Sequence, residues 1–346
     1  MQIPFHTERP ARREFLKTLG GGAMGLALAR TGFAAGSKPL RGLFPIGQTP
    51  FTEDDKLDLE CLAAEIKFCN RGGVHGFAWP QIASGWSNLS EKERLDGAEA
   101  LIAAGKGGKT VIVIGVQTQG ADLQGALKYA KHAAQTGADA VISLPPEKAG
   151  DKETIEYYRT IGAATELPLI VQSQGAMSVD LVVDMFKQIP TMKCVKDEAG
   201  DPLLRVTQIR ERTGDKLAVF SGNGVRTMID EMRLGFSGHC PTTGLADVYA
   251  SAFDLWHAGK KREAFDMFGR ILAFNSITGV NGYIMVARGI FKENTKARAT
   301  PGMGTGAGGG GAAGGRGGRG GARLDEAGKK VIREALETFL KPYLRG

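Results

Sequence analysis

From residue 40 onward the chain keeps one rhythm. Short runs rich in β-branched and apolar residues alternate with longer stretches of helical periodicity. The runs fall at residues 42–46, 74–79, 110–116, 138–144, 168–173, 192–196, 217–221 and 236–241. Helical patterns fill 55–70, 91–104, 123–136, 152–165, 179–188, 203–211 and 225–233. Ser90 with Glu93 makes a Ser-x-x-Glu capping box, and Asp122 and Ser178 stand where N-caps are expected. Strands interleaved with helices predict parallel pairing through right-handed crossovers. Eight such units in roughly 200 residues predict an α/β chain, a (β/α)8 TIM barrel. An open doubly wound sheet would carry a Gly-rich phosphate fingerprint after its first strand. Gly47-Gln48-Thr49-Pro50-Phe51 stands there instead.

The barrel body is expected over residues 40–258, with a helical extension over 259–300. Residues 301–322 are mostly glycine and cannot bury a core, which predicts a flexible insert. Its Arg316 and Arg319 hint at RNA contact, but two arginines suit a spacer better. Residues 323–346 resume as a helix, with Leu324, Val331, Ile332, Ala335, Leu336 and Phe339 as its apolar stripe. Residues 1–34 read as a twin-arginine export signal: Arg12-Arg13, then a short Gly/Ala-rich apolar stretch, then small residues near Ala34. The alternative is a basic amphipathic arm. Export predicts a periplasmic or extracellular protein. The apolar stretch is too short for a comfortable membrane span, so none is expected after cleavage.

The net charge of +7 does not make the body basic. Residues 1–34 carry +3 of it and the two insert arginines +2, leaving +2 for the rest. Nucleic acid is therefore not an implied partner. Cys61, Cys69, Cys194 and Cys240 form no CxxC pair and no zinc-like spacing with histidine, so no metal site is expected.

The chemistry centres on Thr191-Met192-Lys193-Cys194-Val195-Lys196-Asp197-Glu198-Ala199-Gly200-Asp201. Alternation along a strand puts Met192, Cys194 and Lys196 on one face. Lys196 closes the strand, its stem in an apolar wall and its amine at the rim. Burial alone would lower its pKa from about 10.4. A neutral amine can attack a ketone and form a Schiff base. A snorkelling lysine at a strand end is the plainer reading.

Several segments carry a resemblance. Thr49-Pro50-Phe51 precedes an Asp/Lys-rich stretch. Leu89-Ser90-Glu91-Lys92-Glu93-Arg94 opens a helix. Gly137-Ala138-Asp139-Ala140 runs toward Pro145-Pro146. Val195-Lys196-Asp197 is followed by Gly200-Asp201, and Ser221-Gly222 closes the seventh run. In order and spacing these resemble the dihydrodipicolinate synthase and N-acetylneuraminate lyase family over roughly residues 40–300 and the last helix. The resemblance implies a barrel with Lys196 as the imine-forming catalytic residue. It also implies a 2-oxo acid or sugar-acid substrate, no cofactor, and a homo-oligomer built as a dimer of dimers.

The resemblance breaks at three places. Where the family has Gly-Thr-Thr-Gly-Glu, with threonines that hold a substrate carboxylate, this chain has Gln81-Ile82-Ala83-Ser84-Gly85. Where it has a proton-relaying tyrosine after strand five, Gln172 stands in Val171-Gln172-Ser173-Gln174. Its Pro-Pro-Tyr-Tyr run becomes Pro145-Pro146-Glu147-Lys148. A glutamine amide has no accessible pKa and cannot act as acid or base. These breaks favour a second reading, a degenerate barrel that binds a small molecule without turnover.

Substitute substrate-binding groups are Ser84, Gln172 and the Gly222-Asn223 pair, whose Ser-Gly-Asn-Gly context suits either an anion nest or a plain turn. Gln174 shares the face of Gln172. Asp197 and Glu198 read as caps of the following helix. Trp79 and Trp86 read as packing residues, and His239 has no assigned role.

Overall fold

A computed structural model describes residues 38–222, 224–298 and 324–346. The stretch read as an export signal, the Gly-rich insert and Asn223 lie outside the described residues. Eight parallel strands form one sheet: β1 (Gly42–Leu43), β2 (Gly76–Trp79), β3 (Val111–Gly115), β4 (Ala140–Ser143), β5 (Leu169–Ser173), β6 (Met192–Asp197), β7 (Ala218–Ser221) and β8 (Gly238–His239). From β2 to β8 each strand pairs with the next in sequence, and β1 pairs with β8. Ile46 closes the ring, bridging to Thr242 on one side and Ala78 on the other. This is the expected (β/α)8 TIM barrel.

Seven helices alternate with the strands: α1 (Leu59–Gly72), α2 (Glu91–Gly105), α3 (Leu123–Thr136), α4 (Asp151–Ala163), α5 (Val179–Gln188), α6 (Pro202–Thr213) and α7 (Met228–Leu234). Ser90, Asp122 and Ser178 cap α2, α3 and α5 through their side chains, as their sequence positions predict. After β8 comes the eighth barrel helix, α8 (Ala246–His257), and the C-terminal extension comprises α9 (Lys261–Asn275), α10 (Val280–Ala287) and α11 (Glu326–Ala335). α10 is short, at 8 residues. Gly289 turns the chain just beyond it at φ 64°. No helix among the described residues is long and apolar enough to cross a membrane.

Side chains of alternate strand positions divide between two layers. Leu43, Trp79, Val171, Val195 and Val219 face the helices and join the large apolar cluster there. Phe44 and Phe220 fill the interior edge-to-face at 4.8 Å. Each such ring contributes roughly 1.5–3 kcal/mol by burial. Glycine makes the space: a Cβ at Gly76 would lie 2.3 Å from the Phe44 ring.

Strand β6 carries an irregularity that corrects one expectation. Leu169 pairs with Met192, but Ile170 pairs with Cys194, so Lys193 is an extra residue in the ladder. The bulge moves Met192 off the face shared by Cys194 and Lys196. Met192 packs instead in the outer cluster with Leu169 and Val195.

Candidate active site

Beyond the bulge the alternation is regular. Lys196 is the register partner of Gln172 on β5 and of Phe220 on β7. It is buried, with its side chain 6% exposed. One step further, the ladder continues through Glu198 N–H, which donates to the Ser173 carbonyl at 3.0 Å. Glu198 therefore returns to the face of Lys196. Its Oε1 lies 2.8 Å from Lys196 Nζ. Its Oε2 accepts from Gln174 Nε2 at 3.0 Å and, in a very short contact, from Gln172 Nε2. Gln172 Oε1 is buried with no hydrogen-bond partner among the described residues.

Gly222 belongs to this cluster by what it lacks. A Cβ there would sit 2.1 Å from Glu198 Oε1 and 2.3 Å from Glu198 Cγ. The glycine leaves room for the acid to lie across the mouth beside the lysine.

The electrostatics reverse the expectation for Lys196. Burial works to lower its pKa, but the charge of Glu198 carries it above its ordinary value. Burial likewise works to raise Glu198. The Lys196 ammonium and the two amides hold it below the usual carboxylate range. The resting site is thus an ammonium–carboxylate pair. The Cys240 thiol is pushed up to about 12 by burial and keeps its proton.

Other sequence-singled residues have different places. Ser84 Oγ donates to the Gly47 carbonyl at 2.6 Å and accepts from Gln81 N–H at 3.0 Å, tying two loops together. Both of these bonds lie away from the lysine cluster. Asn223 lies outside the described residues. Trp79 is fully buried and donates from Nε1 to Thr49 Oγ1, as a packing residue. Asp197 does not cap α6; it points outward and takes Arg205 of that helix in a bidentate pair. Asp201 caps α6, accepting from Leu203 N–H. His239 lies on the outward face, where Nδ1 meets Glu231 Oε2 at 2.7 Å. Ser221 and Thr227 hydroxyls donate to the other oxygen of Glu231, so the couple braces β7 and β8 against α7.

Glu198 is the residue that sequence reasoning passed over. The signal was present: position 198 is two residues beyond Lys196, on the same strand face. Among the described residues no three His, Cys, Asp or Glu side chains stand together as a metal site.

Comparison with known proteins bears on the family and the fold. The model of the dihydrodipicolinate synthetase family matches residues 39–289. A 4-hydroxy-tetrahydrodipicolinate synthase from Methanosarcina mazei is 30% identical over 196 residues, 54% of this chain and 65% of that protein. The matched stretch thus spans just under two thirds of that relative. The dihydrodipicolinate synthase structure from Rhodopseudomonas palustris has a TM-score of 0.70 at 20% identity, covering 87% of this chain and 98% of that one. The N-acetylneuraminate lyase from Mycoplasma synoviae has a TM-score of 0.69 at 17% identity, covering 87% and 98%. These two establish likeness of fold.

Proposed function

The chain belongs to the dihydrodipicolinate synthetase family, and from that premise we propose that it is a Schiff-base lyase or synthase acting on a pyruvate-type 2-oxo acid through Lys196. The observation that carries this reading is a single buried amine at the C-terminal end of β6, the end where active sites of this barrel class lie. The amine attacks the carbonyl carbon, water leaves, and a protonated imine forms. That imine withdraws electrons from the neighbouring carbon, so a bond there can break or form, or a hydroxyl can depart. The free Oε1 of Gln172 can accept a hydrogen bond from a substrate hydroxyl.

Borohydride reduction in the presence of pyruvate tests the assignment. One adduct on Lys196 is expected by mass spectrometry, lost in Lys196→Arg. No adduct, or an adduct on another lysine, overturns it.

A further inference from the structure

We propose that Glu198 is the proton carrier for Lys196 and that Gly222, Gln172 and Gln174 exist in this site to hold it there. The proposal rests on the imine-forming reading of Lys196. Three observations support it. The carboxylate touches the reacting nitrogen at 2.8 Å with both groups largely withdrawn from water. Two amides occupy Oε2, which leaves Oε1 aimed at the amine. No side chain fits at Gly222 while Glu198 keeps this position.

The amine at rest is charged and has no lone pair to offer. Of the titratable groups whose charge reaches it, Cys240 holds its own proton firmly and Glu198 is ionised. Glu198 is thus the base within hydrogen-bond reach. When a carbonyl compound enters, Glu198 takes one proton from the ammonium. The freed lone pair forms the C–N bond, the carbonyl π electrons move to oxygen, and one proton passes from nitrogen to that oxygen. Glu198, now an acid, returns its proton to the hydroxyl. The hydroxyl leaves as water while the nitrogen lone pair completes the C=N bond. The carboxylate is restored, the iminium keeps the single positive charge, and nothing is oxidised or reduced.

A buried ion pair that only braces the strand predicts different behaviour, and two labelling rates on the full chain separate the cases. The first is capture of the Lys196 imine with pyruvate and cyanoborohydride, which needs both addition and loss of water. The second is acetylation of Lys196 by acetic anhydride, which needs only a free amine. In Glu198→Gln, imine capture is expected to fall about 100-fold, within the range of general acid–base catalysis. Acetylation is expected to rise, because burial then acts on the amine unopposed. Formate added to Glu198→Ala is expected to restore part of the capture rate. Unchanged capture in Glu198→Gln, or capture and acetylation falling together, overturns the carrier role and leaves the lysine reading standing. If Glu198→Gln does not fold, Glu198→Asp takes its place. There slower capture with unchanged acetylation supports the role, and equal capture overturns it. Absence of any pyruvate adduct in the parent protein overturns both.

Discussion

Asp197 and Glu198 are consecutive acids at the end of one strand, and they live in different worlds. Asp197 turns outward into the layer between sheet and helices. There the Arg205 guanidinium grips both its oxygens, and Ser173 shares the same cation. Glu198 turns inward to the mouth, where it meets a lysine and two amides. The partners explain the difference in use. Arginine does not give up its proton in proteins and presents a rigid fork, so its pair is a fixed joint between β6 and α6. Lysine can lose its proton, so its pair can change state. A single step of strand alternation separates architecture from chemistry.

The sharpest way to break this contrast is to neutralise the outward acid. Asp197→Asn leaves the part-buried Arg205 without its counter-charge, which costs about 3 kcal/mol. Chemical denaturation should show that loss, while imine capture per folded molecule stays near the parent rate. A collapse of capture without loss of stability would erase the distinction between the two acids. Gly222→Ala probes the inward side. Its new methyl meets the Glu198 carboxyl, so overpacking of about 1–3 kcal/mol is expected. Imine capture should drop about tenfold as the acid is displaced, whereas a change in stability alone would mean that the glycine serves only the loop. Gln172→Ala is the mildest change. It removes one of the two amide bonds on Oε2, worth roughly 0.5–1.5 kcal/mol. Capture is expected to slow a few-fold, read from the pyruvate concentration dependence. A larger fall than in Gly222→Ala would mean that the amide touches substrate as well as Glu198.

Most of the fold was legible because it is local. The bounds of α3 and α5 coincide with their periodic stretches, and three caps follow from side chains three residues or fewer from their targets. Eight strands followed from eight apolar runs, although β1 and β8 shrink to two residues each. The site was harder. The charge state of Lys196 depends on an acid whose approach only the folded strand reveals. Glu198 looked like a cap because a helix follows, but Asp201 takes that task three residues later. Met192 looked aligned with Lys196 because nothing in Met-Lys-Cys announces a bulge. Gly222 was read as a ligand contact, and its part in the fold is a vacated volume.

The closure of the ring by Ile46 has a consequence for how the protein keeps to itself. An open sheet ends in two strands with unpaired N–H and C=O groups, a template for other chains. Here the same isoleucine bridges to both flanks, and the Ala78 and Pro241 backbones are engaged with the segment around it. Should that short segment lift, β1 and β2 would become edges together. The clasp is therefore the barrel's guard against intermolecular strand pairing, and it rests on two single bridges at one residue.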